Sequence, residues 1–340
     1  MTHRSIRFAA IGLNHNHIYG QTRCLLDAGA ELVAVYAPED DLAEAYCKAF
    51  PQAKRVSDRR AILDDPSIRM IVTASIPDER AATAIEAMRS GKDVMVDKPG
   101  VVSLEQLAEV KRVQQETGRI WSVCFSERFE TRSTERASQL VAAGAIGRAV
   151  QTIGVGPHAL NNNARPDWFF QRKRYGGILT DIAAHQCDQF LHFTGSTSAE
   201  VVASHIANYA NPQTPELEDF GEVMLRGSGG SGYIRVDWYT PNGLGVWGDG
   251  RLTILGTDGY IELRKYIDVA GRPGGDHLFL VDGKETRYVD CSGVALSYGP
   301  KLIADVLDRT ETAMPQAHCY LATELALTAE AKAVRLGAVT

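Results

Sequence analysis

The first 125 residues alternate between short apolar runs and amphipathic segments, and this alternation restricts the fold more than any other feature of the chain. Ile6–Ile11, Leu32–Tyr36, Met70–Ala74, Val94–Val96 and Ile120–Phe125 read as strands. Ile18–Ala28, Leu42–Phe50, Arg80–Arg89 and Leu104–Thr117 carry helical spacing between them, with Pro51 and Ser90-Gly91 as stops. A strand that follows a helical crossover pairs in parallel, because a parallel return is too long for a hairpin. The pattern therefore predicts a doubly wound parallel sheet, an α/β fold that binds ligands at the carboxyl ends of its strands.

With 340 residues the chain exceeds one ordinary core, so a second domain is expected. After Phe125 the reading changes. A helix is expected over Ser133–Ala143, then a strand over Ala149–Val155. From Val201 to Val289 short strand-like runs are separated by glycine-bearing turns, which fits hairpins and an antiparallel sheet. Leu302–Leu307 and Tyr320–Leu336 have helical spacing, and His318 is expected just before the last helix. Net charge is −6 with no basic run, which argues against nucleic acid and anionic membrane surfaces as partners. No run reaches the ~20 apolar residues of a membrane span. Six scattered cysteines without a CxxC pair suit a reducing compartment, and a cytoplasmic location is expected.

The first strand–helix turn reads Gly12-Leu13-Asn14-His15-Asn16-His17. A dinucleotide site would show G-x-G-x-x-G, and only the first glycine is present. Asn14 stands at the second position, where it tolerates positive φ but adds bulk; His17 stands at the third. Glu39 and Asp40, shortly after the second strand, are the nearest acidic residues for ribose hydroxyls. Their charge disfavours a 2′-phosphate, so NAD is expected rather than NADP. The H-x-H pair His15 and His17 also has the form of a metal-ligand pair, but spacing assigns it no third ligand, and no metal is expected.

A second concentration of chemistry lies at 176–188, Gly-Gly-Ile-Leu-Thr-Asp-Ile-Ala-Ala-His-Gln-Cys-Asp. On one helix Asp181 and His185, four residues apart, would share a face that Asp188 and His192 continue, with Ala183, Cys187, Phe190 and Leu191 as apolar neighbours. There a histidine can pass a proton and an aspartate can hold a hydroxyl. The preceding loop, Gly156–Leu160 and Arg165–Phe170, offers His158, Arg165 and Trp168 as substrate contacts, since an aromatic stacks on a sugar ring and arginine binds carboxylate or hydroxyls.

The run Gly91-Lys92-Asp93-Val94-Met95-Val96-Asp97-Lys98-Pro99 resembles the "GKHV…EKP" signature of the glucose–fructose oxidoreductase / inositol dehydrogenase / rhizopine-catabolism (Gfo/Idh/MocA) family, with Asp97 where glutamate is usual. Gly176, Gly177, Asp181 and His185 match its glycine cluster followed by D-x-x-x-H. Gly144-Ala145-Ile146-Gly147 and Ile254–Ile261 agree with its "GxIG" turn and "GTxG" strand pair. The resemblance implies a Rossmann domain over 1–124 and, over 125–340, a substrate-binding and oligomerisation domain with a large, mostly antiparallel sheet. It implies Lys98, Asp181 and His185 converging as catalytic residues at a nicotinamide. The expected cofactor contacts are Gly12, Asn14, His15, His17, Glu39, Ser75, Asp97 and Pro99. His185, with an unperturbed pKa near ~6.5, suits the base that takes a hydroxyl proton while hydride leaves; Asp181 would orient a hydroxyl, and Lys98 would hold the reacting oxygen. The expected activity is NAD(P)-dependent oxidation or reduction at a secondary carbinol of a sugar, cyclitol or polyol, by a homodimer or homotetramer. Two alternatives stay open: a non-catalytic nucleotide- or sugar-binding regulator, and a metal-dependent lyase or hydrolase using His15 and His17.

Overall fold

The structure, a computed structural model, describes residues 5–161 and 164–337. The chain divides into two compact units, Met1–Cys124 with Ser297–Tyr320, and Phe125–Leu296 with Leu321–Thr340. The segment Ser297–Tyr320, which the sequence reading left with the C-terminal domain, packs with the first unit.

In the first unit, strands β1 (Arg7–Ile11), β2 (Glu31–Tyr36), β3 (Lys54–Arg55), β4 (Ile68–Thr73), β5 (Asp93–Asp97) and β6 (Trp121–Cys124) alternate with helices α1 (His17–Asp27), α2 (Asp40–Ala49), α3 (Arg60–Leu63), α4 (Arg80–Arg89) and α5 (Leu104–Thr117). All strand pairs are parallel, in the order β3-β2-β1-β4-β5-β6. The order reverses between β1 and β4, so the turns after those strands border a crevice at the carboxyl edge. Phe8, Ala10, Met70, Ile71, Val72, Val94 and Val96 are buried in the sheet, as near-continuous apolar runs require when both faces are covered. Beyond β6 the Gln316 side chain exchanges two hydrogen bonds with the Trp121 backbone, both 3.1 Å, and so satisfies the sheet's last edge. The helix Tyr298–Asp308 adds a bidentate ion pair, Arg309 to Asp93 at 2.7 and 2.8 Å.

The second unit opens with α6 (Ser126–Phe129) and α7 (Arg132–Ala142), then β7 (Ala149–Pro157), α8 (Arg172–Tyr175), α9 (Ile178–Asp181) and α10 (Ala183–Thr194). Strands β8 (Ala199–Ala207), β9 (Phe220–Gly227), β10 (Ser231–Asp237), β11 (Arg251–Gly256), β12 (Gly259–Arg264), β13 (His277–Asp282), β14 (Thr286–Val289) and β15 (Val334–Arg335) follow. With β7 they form one nine-stranded sheet, β14-β13-β12-β11-β7-β10-β9-β8-β15. It is antiparallel except at β7–β10 and β8–β15, as the mostly antiparallel expectation required.

Helix α10 lies closely on this sheet because β7 carries glycine beneath it. A Cβ on Gly154 would stand 2.6 Å from Gln186 Cγ, so any side chain there would push α10 away. Among the described residues no helix is long and apolar enough to cross a membrane.

Two local expectations need correction. The single helix expected through Asp181 and His185 is two: α9 ends at Asp181, and the His185 amide donates to the Ile182 carbonyl at 3.2 Å in a tighter turn. The last helix spans Gln316–Lys332, so His318 lies within it, and Val334–Arg335 turns into an edge strand. Asn14 does not use the left-handed backbone it could tolerate; its side chain turns to Glu39 instead.

Candidate active site

In the first unit the chemistry-bearing residues gather at the carboxyl ends of β1, β4 and β5. Gly12, after β1, has φ +81°, and a Cβ there would come within 2.6 Å of the Ser75 Cβ after β4. The turn is pinned by Gly12 N–H to Tyr36 O at 3.0 Å and His15 N–H to Ala74 O at 2.8 Å. Asn14 Nδ2 donates to Glu39 Oε1 at 2.8 Å, which joins the turn to the acidic residue after β2. The other oxygen, Glu39 Oε2, is buried without a hydrogen-bond partner among the described residues.

Asp97, the last residue of β5, is the hub. His17 Nδ1–H donates to its Oδ1 at 2.8 Å, and Arg80 Nη2 lies 2.8 Å from Oδ2. His15 Nδ1 is 3.5 Å from the same oxygen and accepts the His17 N–H at 3.2 Å. Burial alone would raise the Asp97 carboxyl; Arg80, His17 and His15 outweigh it and hold the group well below the usual carboxylate range. Burial, then repulsion from His17, drives His15 well below its ordinary value, so its imidazole is neutral near pH 7. Arg80 also donates to the Ser75 carbonyl at 2.8 Å and to the Lys98 carbonyl. One buried guanidinium thus ties the ends of β4 and β5 and fixes the backbone of Lys98, whose side chain is buried to 4% exposure. The Lys98–Pro99 bond is cis.

His15, His17 and Asp97 bring ligand-type atoms within 4.8 Å of one another, supplying the third group that spacing could not assign. Arg80 opposes a metal there. A buried cation already neutralises the only carboxylate, and a second cation would meet its repulsion in a low-dielectric setting.

In the second unit His185 is buried on α10, edge-on to Phe125 with ring centroids 6.5 Å apart. Beside it lies a buried charged network. Lys265 Nζ donates to Glu127 Oε2 and, at 2.7 Å, to Gln189 Oε1. Gln186 Nε2 donates to Glu127 at 3.1 Å, and Gln189 Nε2 holds the His185 carbonyl at 2.9 Å. Burial pushes the Glu127 carboxyl up; Lys265, His185 and His158 outweigh it and bring it down to about 2. Glu127 Oε1 has no hydrogen-bond partner among the described residues. A fixed negative charge therefore sits within electrostatic reach of both His185 and His158. One turn along, Arg128 grips Asp188 with two hydrogen bonds of 2.6 Å, so α6 holds α10 at two points.

The candidate substrate residues form an aromatic-rich wall. His158 Nδ1 faces the Gly156 carbonyl at 3.1 Å, and its ring lies 4.7 Å from Trp247 and 5.5 Å from Trp238. Arg165 is half-buried against the aromatic rings. Its guanidinium stacks over Phe169 at 4.4 Å and Trp238 at 5.2 Å while bonding the Leu160 and Ala159 carbonyls. Burial lowers it from the ordinary arginine value and the nearby Asp181 carboxylate offsets this. Trp168 packs edge-on against Phe169 at 6.0 Å. The sequence reading assigns Trp247, with Trp238 and Tyr239, to core or oligomer packing; in the structure its ring packs at a tilt on His158 and Tyr266 yet stays 47% exposed. Sequence reasoning passed over Arg80, Glu127 and Lys265. Arg80 gave one signal, a charged residue opening an otherwise alanine-rich buried face.

Comparison with known proteins agrees with this architecture. Residues 6–125 match the oxidoreductase family with an NAD-binding Rossmann fold, and residues 134–262 match the Gfo/Idh/MocA C-terminal domain. The chain is 27% identical to scyllo-inositol 2-dehydrogenase (NAD(+)) of Bacillus subtilis over 260 residues, 75% of this chain and 73% of that one. The crystal structure of a protein from Erwinia carotovora atroseptica superposes with a TM-score of 0.94 at 47% identity, over 98% of this chain and 100% of that one. Levoglucosan dehydrogenase, solved with NADH and levoglucosan, shares the fold with a TM-score of 0.77 at 20% identity, over 96% and 98% of the two chains. The chain belongs to the Gfo/Idh/MocA family of oxidoreductases.

Proposed function

We propose that this Gfo/Idh/MocA oxidoreductase transfers a hydride between a nicotinamide cofactor, NAD in preference to NADP, and a secondary carbinol carbon of a sugar, cyclitol or related polyol. The observation that carries the reading is the buried imidazole of His185 beside the ionised, equally buried Glu127. A carbinol oxidation needs a base for the hydroxyl proton, and the Glu127 charge favours the imidazolium that results. Asp181 orients the substrate hydroxyl, and Lys98 holds the reacting oxygen and stabilises negative charge on it. His158, Arg165 and Trp168 contact the polyol, with Trp247 added as a stacking surface. The nicotinamide cofactor supplies the hydride acceptor or donor when bound.

The turn fits that cofactor despite its missing glycines. Gly12 offers bare backbone, Ser75 lies against it, and the unpartnered Glu39 Oε2 suits a ribose hydroxyl donor. The Glu39 charge repels a 2′-phosphate, which supports NAD. His15, His17, Asn14, Asp97 and Pro99 shape the rest of the pocket. A catalytic reading is favoured over a binding module by the buried acid–base groups, whose desolvation a regulator has no need to sustain. The relatives named for scyllo-inositol and levoglucosan support a polyol or sugar substrate. We further propose a homo-oligomer, assembled through the exposed face of the nine-stranded sheet. A cytoplasmic location suits the cysteines, which are all thiols.

Calorimetric titration with NAD, NADH, NADP and NADPH, then a polyol and aldose panel followed by nicotinamide absorbance, tests the reading. NAD and NADH bind, and His185→Ala keeps that binding while losing roughly 10²–10⁴-fold in turnover. Folded protein that binds none of the four overturns it.

A further inference from the structure

Beneath the glycine pair at 176–177 two glutamates from distant parts of the chain meet. Glu218 is fully buried and Glu330 is 6% exposed. Arg172 bridges them, with Nε donating to Glu218 Oε1 at 2.8 Å and Nη2 to Glu330 Oε1 at 2.5 Å. Their other oxygens take consecutive backbone amides of α9: Ile178 N–H donates to Glu218 Oε2 at 3.0 Å, and Leu179 N–H to Glu330 Oε2 at 3.1 Å. The space is closed by chain geometry. Gly177 has φ +93°, and a Cβ there would lie 2.2 Å from the Glu330 carboxyl carbon. Asp181 ends this same four-residue turn, its amide donating to the Gly177 carbonyl at 2.9 Å.

We propose that Glu218 and Glu330 share one proton as a carboxyl–carboxylate pair, and that the pair is the positioning device that fixes the turn presenting Asp181. The donor inventory decides which group ionises. Glu218 accepts three donors, Arg172, Arg335 at 2.9 Å and the Ile178 amide; Glu330 accepts two, from Arg172 and Leu179. Two carboxylates held on one guanidinium repel, so the less-served one, Glu330, keeps the proton. The remaining groups around the pair are Tyr175, whose hydroxyl accepts the Glu218 amide at 3.0 Å, and Glu216, which accepts the Arg172 amide at 3.0 Å. Both arginines are partly exposed, which weakens their hold on a second negative charge. Consistently, burial and then Glu218 raise Glu330 to about 8, against the pull of Arg172.

The inference rests on the catalytic role given to Asp181, and its test separates the two. A folded-state value above the unfolded one means that folding takes up a proton. Glu330 therefore withdraws stability as pH rises from its unfolded value, near ~4.3, to about 8. Wild-type protein loses denaturant resistance between about pH 5 and 8, while Glu330→Gln, neutral throughout, loses less. Amide exchange across 177–182 stays slow in Glu330→Gln and quickens in Glu330→Ala. In turnover Glu330→Gln stays within about threefold of wild type at pH 7; Glu330→Ala falls at least about tenfold in kcat with cofactor binding unchanged. Identical pH–stability curves for wild type and Glu330→Gln, or a folded Glu330→Ala with native exchange and kcat, overturn the proposal. If the stability and exchange results hold but wild type turns over no polyol, the pair stands and the dehydrogenase reading falls.

Discussion

Lys265 donates its ammonium protons to Glu127 in the interior of the second unit, with both side chains withdrawn from water. Neither residue stands in a motif, yet the Glu127 charge lies within electrostatic reach of His185. Gln186 and Gln189 on α10 complete the network, so α6, α10 and Lys265, just after β12, meet at one charged centre.

Breaking this pair on one side leaves a buried charge without its counter-ion. Lys265→Met is expected to lower the unfolding free energy by about 3–5 kcal/mol in urea titration. The double variant Glu127→Gln/Lys265→Met removes the stranded charge as well, and recovers part of the loss. A double variant as unstable as the sum of the singles would show that the two groups act independently.

Asp97 sets a dependence on acid. Its carboxyl is held far below the unfolded value of ~3.9, so its pairing with Arg80 and His17 contributes stability in full above about pH 4 and loses it as pH falls further. Asp97→Asn strands the Arg80 guanidinium at every pH. The gap between wild type and variant is therefore widest at neutral pH, about 3–5 kcal/mol, and narrows toward pH 3. Denaturant unfolding at pH 7 and pH 3 reads both values, and a gap that widens in acid contradicts the assignment.

How much of this was legible in the sequence depends on the range of each interaction. The parallel sheet was legible because its five apolar runs and the four helical spacings between them are local patterns. Asp181 and His185 were picked out by their four-residue spacing and again by resemblance to a short signature, Lys98 by resemblance alone. The break between α9 and α10 was not legible. Ile182 carries no stop signal, and the interruption accompanies close packing of Ile182 on Gly156, whose ideal Cβ would stand 3.3 Å from Ile182 Cγ2. The partners of Arg80, Glu127, Glu218 and Glu330 lie far away in the chain, where only the fold brings them together. The turn at Gly12 misled in a different way. The rule asks for glycine where a backbone must approach a phosphate, whereas this chain fills the position with Asn14 and ties its amide to Glu39.

That tie bears on cofactor choice. Asn14 occupies one Glu39 oxygen and leaves the other, the one proposed to take a ribose hydroxyl, without a hydrogen-bond partner among the described residues. Glu39→Gln keeps the shape but drops the charge, so it is expected to weaken NAD binding by roughly tenfold while weakening NADP less, or improving it. Calorimetric titration of both dinucleotides checks this. Equal losses for the two would place Glu39 in support of the turn rather than on the ribose.

The exposed face of the nine-stranded sheet makes the last prediction. Strand register lines Met224, Tyr233, Ile153 and Thr253 in a row across β9, β10, β7 and β11. Leu255, opposite Gln151 and Tyr260, forms a second row on the same face. Met224, Ile153, Leu255 and Tyr260 are 53%, 38%, 42% and 39% exposed, although their neighbours across the sheet pack into the core. Alternation along a strand puts polar residues outward when that face meets water, so the apolar Met224, Tyr233 and Ile153 in register on three adjacent strands, with Leu255 and Tyr260 paired on the same face, support the proposed interface. The same face on a second copy is self-complementary under a two-fold axis, which is the commonest route to a closed dimer. Ile153→Glu combined with Leu255→Glu places like charges on both sides of such an interface without touching the core. Light scattering after size exclusion is expected to show wild type as a dimer or tetramer and the double variant shifted toward monomer, with cofactor binding kept. A wild-type protein that elutes as a monomer at micromolar concentration would leave the row as surface and remove the assembly from the proposal.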